Sequence, residues 1–167
     1  MIWLALLACS GSTTVQSTVS LEAQAIEEAE CAVCGMIVGE QPAPRGQVVR
    51  RDGTHEFVCS VEELRALTQN PSSKGKPRAV YVEALPTTLS SSGDTTPLPW
   101  VPVDEAWFVF GAERRGVMGT PVLAFGDEAA ARLQGDSLGS TPVRWAPLRD
   151  TPFSSVPQEA RVQTPTP

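Results

Sequence analysis

Three sulfur side chains fall within six residues of this chain. They are Cys31, Cys34 and Met36, in the run CAVCGMIV from Cys31 to Val38. A Cys-x-x-Cys pair can exchange disulfides, bind a structural zinc ion, or hold a soft monovalent metal. Exchange needs a reactive thiol at a helix N-terminus, where its pKa is lowered. The residues after Cys34 are Gly-Met-Ile-Val-Gly, and glycine with β-branched residues makes a poor first helical turn. A thiol-disulfide protein is therefore the weakest of the three readings.

Zinc has a better claim. Cys31, Cys34, His55 and Cys59 form a Cys₃His set, spaced C-x₂-C and then H-x₃-C, close to structural zinc spacings. His55 is the only histidine in the chain. On this reading the protein is a zinc-stapled interaction module. Copper(I) is the other claim, because thiolates and thioethers are soft donors that select it. Cys34 and Met36 stand two apart, and in an extended segment such side chains share a face. Met118 lies far along the chain in GVMGTP, between Gly116 and Gly119, where the backbone can come close to a ligand. Methionine is most often a core filler. Apart from Met1, however, these are the only two methionines, and both sit beside glycines rather than on an apolar stripe. On residue types alone, zinc and copper both stay open.

No general base or activated nucleophile accompanies the sulfurs. Glu62 and Glu63, and likewise Asp127 and Glu128, read as acidic starts of capped helices, so the chain does not read as an enzyme.

The elements that must position these residues follow from local patterns. GQVVRRDGTHEFVCS alternates around an Asp-Gly turn and predicts a hairpin. SVEELRALTQNP predicts a helix capped by Ser60, with Glu63 completing a capping box and Asn70-Pro71 ending it. RAVYVEAL predicts a strand. EAWFVFGA and TPVLAF predict two more, GDEAAARLQGD a helix stopped at Gly135, and TPVRWAPL a last strand. Both halves thus run strand, strand, acidic-start helix, strand. The expected fold is α+β, built of two similar small ββα(β) units that share a core neither could build alone. The expected organisation is a signal at 1–9, a tether at 10–29 turning weakly helical in LEAQAIEEAE, and a first unit at 30–85. A Pro/Ser-rich extended connection at 86–102, a second unit at 103–150 and a Pro-rich tail at 151–167 complete it.

The chain has 167 residues, 15 prolines, 13 glycines and a net charge of -6. There is room for one domain with a core, and the Pro/Gly clusters mark loose joints. Without a basic stripe, nucleic acid is excluded as a partner. The opening MIWLALLAC resembles a lipobox, with Ala8 before Cys9 and the polar tether SGSTTVQSTVS after it. That resemblance implies lipidation of Cys9 and attachment to a membrane through the lipid, since the apolar run is too short to span one. The run also lacks a basic start, which places the expected translation start upstream of Met1. With Cys9 set aside, Cys31, Cys34 and Cys59 make an odd number, which argues against a pure disulfide framework.

CAVCGMIV, HEFVCSVEEL, AWFVFGA, VMGTPVLAF and DEAAARL, in this order over residues 30–148, resemble the NosL family, lipoproteins encoded with nitrous oxide reductase. The chain departs from the family pattern at Val117, where a proline is usual. The resemblance implies a Cu(I)-carrying metallochaperone of the cell envelope. It would face the periplasm, be lipid-anchored to the inner or outer membrane, and supply nitrous oxide reductase alongside accessory maturation proteins. The implied ligands are Cys34, Met36 and Met118, with Cys31 in the motif and Cys59 and His55 less firmly placed.

Overall fold

The computed structural model describes residues 20–70, 74–86, 95–113 and 119–150. The predicted hairpin forms as strands β1 (Gly46–Val49) and β2 (His55–Val58), paired antiparallel with Val49 opposite His55. Asp52 drives its turn, the carboxylate accepting the Thr54 N–H at 2.9 Å, and Gly53 takes φ +85°. Helix α1 (Val61–Gln69) follows at once, with the Ser60 hydroxyl accepting the Glu63 N–H. Strand β3 (Ala79–Glu83) returns to the other side of β1. The end of the Pro/Ser-rich connection is itself a strand, β4 (Trp100–Pro102), on the outer edge of β3. The sheet order is β2-β1-β3-β4, and β1, buried at every residue, is its centre.

The second half repeats this path. Strands β5 (Trp107–Phe110) and β6 (Val122–Phe125) pair antiparallel, and helix α2 (Glu128–Leu138) is capped by Asp127, which accepts the Ala130 N–H. The chain then comes back to the free side of β5, where Val143 exchanges backbone hydrogen bonds with Phe108 at 2.9 Å. β5 is thus flanked as β1 is. The main core draws Val48, Val58 and Leu64 from the first half and Phe108, Ala124 and Trp145 from the second. A smaller core lies under α2. The fold is α+β, as expected.

Three local expectations are corrected. LEAQAIEEAE contains no helix. It runs extended because the buried Gln47 amide grips the Gln24 backbone through two 2.9 Å bonds, and the Tyr81 hydroxyl donates to Leu21 O. TPVRWAPL is a strand only at the Val143 bridge. From Trp145 it becomes a short helix, α3 (Trp145–Asp150), which buries the indole 5.6 Å from the Phe108 ring. α2 does not stop at Gly135 but runs to Leu138, with Gly139 at φ +63° as its cap. Gly135 is needed for another reason, since a Cβ there would strike the Ser140 carbonyl.

One buried ion pair braces the loop that follows the sulfur motif. Arg45 and Glu83, both sealed from solvent, meet in a fork at 2.6 and 2.7 Å. The guanidinium also donates to Gly39 O, Gln41 O and Thr95 O. Removing one partner of such a pair costs about 3–5 kcal/mol, because the other charge is left buried. No helix among the described residues is long and apolar enough to cross a membrane.

Candidate metal centre

The sulfur motif is a tight hairpin, not the extended segment expected. Glu30 and Ile37 bridge antiparallel, Cys31 N donates to Met36 O at 2.8 Å, and Gly35 N donates to Cys31 O at 2.9 Å. Gly35, at φ +75°, permits the reversal. Val33 N and Cys34 N both point at Cys31 Sγ, at 3.5 and 3.4 Å. The turn therefore offers two backbone donors to that sulfur. The shared-face argument for Cys34 and Met36 does not hold, because the chain turns between them. Met36 is half buried and, like Cys34, packs against the main core.

This hairpin docks on the open edge of β2. Cys31 bridges Phe57 in parallel, and Ala32 N donates to Phe57 O at 2.9 Å. The docking brings Cys31 and Cys34 to the junction between β2 and α1, where Cys59 waits. Cys34 Sγ lies 3.7 Å from Cys59 Sγ, and all three cysteines are free thiols.

The fourth member of the cluster is Glu63. One carboxylate oxygen accepts the Cys59 N–H at 2.9 Å and the Cys31 thiol at 3.4 Å. The ligand atoms of Cys31, Cys34, Cys59 and Glu63 all lie within 4.8 Å of one another. Cys31, Cys59 and Glu63 are buried and Cys34 is half buried, so the cluster opens to solvent on the Cys34 side. Burial pushes the Cys34 thiol pKa up. It pushes Cys59 far higher, with the neighbouring thiols and Glu63 adding to the effect. A thiol whose burial disfavours ionisation gains its charge more readily when a cation arrives to balance it.

Sequence reasoning missed Glu63. It lies three residues after Ser60, so the capping-box pattern accounted for it. In the structure the box is half made. Ser60 accepts the Glu63 N–H, but the carboxylate passes over the Ser60 N–H to reach Cys59. His55 is not in the cluster. It starts β2, its Nδ1 is 2.9 Å from Gln47 Oε1, and burial lowers its pKa. The Cys₃His set is thus not brought together, and Glu63 stands where histidine was expected. Met118 and Cys9 lie outside the described residues. Beside Met118, the Gly119–Thr120 turn is held by the first turn of α1, with the Glu62 carboxylate accepting the Thr120 N–H. Gly119 has φ +78°, and a Cβ there would run into that carboxylate. An open cleft of about 730 Å³, lined in part by Lys76, Arg78 and Trp145, lies apart and contains none of the cysteines.

Comparison with known proteins gives concordant results. A model of the NosL family matches residues 22–146. The copper-binding lipoprotein NosL of Stutzerimonas stutzeri is 29% identical over 141 residues, which cover 84% of this chain and 72% of that one. The crystal structure of the copper chaperone NosL from Shewanella denitrificans superposes with a TM-score of 0.61 at 25% identity. The match covers 83% of this chain and 97% of the other.

Proposed function

The chain belongs to the NosL family, and on that premise we propose that it carries one Cu(I) ion in the cell envelope and hands it to nitrous oxide reductase. The observation that carries this reading is the meeting of three free thiols around one point, two buried and one half open. Three soft sulfurs suit Cu(I) and leave room for an incoming ligand. Cys34, on the open side, is the position at which an acceptor's ligand would enter before one of the chain's own departs. The role is carriage, not catalysis, and the relatives bear the names of a binding protein and a chaperone. Attachment of the envelope protein through lipid on Cys9 belongs to the same proposal, as does its action beside accessory maturation proteins.

We assign the ligands to a pool of five sulfurs, Cys31, Cys34 and Cys59 with the thioethers of Met36 and Met118, of which about three hold Cu(I) at one time while the others exchange with them during transfer. Two contacts support a place for Met118. The turn directly after it is gripped by Glu62, and the next residue of α1, Glu63, touches the thiols. Adjacent glutamates thus hold the two parts of the proposed site. A carboxylate oxygen is a hard donor and a poor match for Cu(I), so Glu63 orients Cys31 and Cys59.

Glu63 also favours a second reading, since three cysteines and a carboxylate can bind zinc. Titration of the reduced protein separates the two. About one Cu(I) should bind and survive a moderate chelator, with Zn(II) unable to displace it. Met36→Leu and Met118→Leu should each lower Cu(I) affinity about tenfold, or about 1.4 kcal/mol. Each should cost less than about 1.5 kcal/mol in stability, because the swap conserves volume. Unchanged affinity in Met118→Leu would confine the site to the cysteine cluster. Chelation should leave the circular dichroism intact, whereas a zinc staple would unfold on losing its ion.

A further inference from the structure

Three large hydrophobic side chains are exposed among the described residues: Val33, Ile37 and Leu133. Single exposed apolar groups are ordinary on a soluble protein, and Leu133 on α2 is one. Val33 and Ile37 are different, because both stand on the sulfur hairpin. Val33 lies in its turn, between Cys31 and Cys34, and Ile37 directly follows Met36. Val33 is 49% exposed.

The charge around these two side chains is one-sided. Residues 20–44 contain five glutamates and no lysine or arginine. Glu27, Glu28 and Glu30 on one arm of the hairpin, and Glu40 beyond the other, are all exposed. The arms run side by side, with Val38 N bonded to Ala29 O and Glu30 bridged to Ile37. Glu30 therefore stands beside Ile37, and Glu27, Glu28 and Glu40 lie toward the base of the same hairpin. None of them forms an ion pair among the described residues.

We propose that this hairpin is a docking surface for a protein whose own apolar seat is ringed by lysine or arginine. Exposed apolar side chains on an element of single-sign charge steer a complementary protein and favour one register. Anionic lipid is a poor occupant, since the glutamates would repel it. A second copy meeting it face to face is equally poor, because it would set glutamates against glutamates, and a head-to-tail copy seated by its Lys76–Arg78 cleft is an outcome the test separates. Val33 is the chain neighbour of Cys34, the half-buried thiol of the cluster, so a protein bound at this hairpin stands next to it. That the bound protein presents a soft ligand there rests on the copper reading above, whereas the apolar and acidic character of the hairpin does not.

The test places the photo-crosslinker benzoylphenylalanine at position 33 of the full chain in its own cells, with position 133 as the control, and maps the joined peptide by mass spectrometry. Position 33 should join one protein at a lysine- or arginine-bearing surface, and position 133 should not. The triple variant E27K/E30K/E40K should lower the yield at position 33 about fivefold or more, and E27Q/E30Q/E40Q should fall between it and wild type. Joining to lipid, to a second copy or to an acidic surface overturns the proposal. So does the absence of any adduct, or a yield that charge reversal leaves unmoved. The readout needs no copper. A persistent adduct from a protein that fails to bind Cu(I) in titration would therefore defeat the copper reading and leave the docking surface standing.

Discussion

The two strand-to-helix junctions are built alike and equipped differently. In the first half β2 ends at Val58, Ser60 caps α1, and Glu63 is the residue whose N–H the cap accepts. In the second, β6 ends at Phe125, Asp127 caps α2, and Ala130 is the residue accepted. Position by position, Gly126 stands where Cys59 does, and Ala130 where Glu63 does. Each outer edge is also covered by a parallel bridge, Cys31 against Phe57 in one case and Leu85 against Phe125 in the other. Leu85 joins the apolar core under α2, whereas Cys31 brings a thiol. The scaffold thus provides a capped helix start beside a covered strand edge, and on the proposed reading the chemistry depends on the side chains placed there, Cys31, Cys59 and Glu63, joined by Cys34 from the hairpin turn. The second copy shows what the same backbone is without them.

The strongest way to break the comparison is to make the first junction resemble the second. Cys59→Gly, combined with Cys34→Ala, should lower Cu(I) affinity at least about a thousandfold, or about 4 kcal/mol, while circular dichroism shows the fold retained. Glu63→Ala copies Ala130. It should cost about 10–100-fold in affinity, the usual price of an orienting partner, with Glu63→Gln milder because the amide oxygen can still accept the Cys59 N–H. Ala130→Glu in the second half should create no metal site, since Gly126 offers no sulfur.

Smaller effects sharpen the picture. The raised pKa values of Cys34 and Cys59 keep those thiols protonated near neutral pH, so binding must expel their protons. Apparent Cu(I) affinity should then rise with pH, by about tenfold per unit for each proton released, and competition titrations at pH 6, 7 and 8 would read the slope. A pH-independent affinity would mean that no buried thiol loses a proton on binding. The smallest effect concerns the caps. Ser60→Ala and Asp127→Ala should each cost about 1 kcal/mol of stability in denaturant unfolding. Only Ser60→Ala should also disturb the metal site, because it loosens the turn that aims Glu63.

What could be read from the chain alone was local. The Asp52–Gly53 hairpin, the Ser60 and Asp127 caps and the Cys-x-x-Cys-Gly-Met run are each written within a dozen residues, where backbone preference and side-chain spacing act directly, and the repeated order of elements is the succession of such local signals. Local pattern also misled where a distant contact outweighed it. Trp145 leaves the strand pattern to bury its ring on Phe108, and the Gln47 amide holds LEAQAIEEAE extended against its helical composition.

The site itself was decided by tertiary structure. The cluster joins Cys31 to Glu63 across 32 positions and Cys34 to Cys59 across 25. No spacing rule distinguishes that set from one containing His55. Pairing decides it. With the hairpin docked on Phe57, the thiols face the junction beyond the end of β2, while His55 at the other end of that strand is taken up by Gln47. The sequence supplied the sulfurs, and the docking of one hairpin on one strand edge selected a carboxylate rather than an imidazole to stand among them.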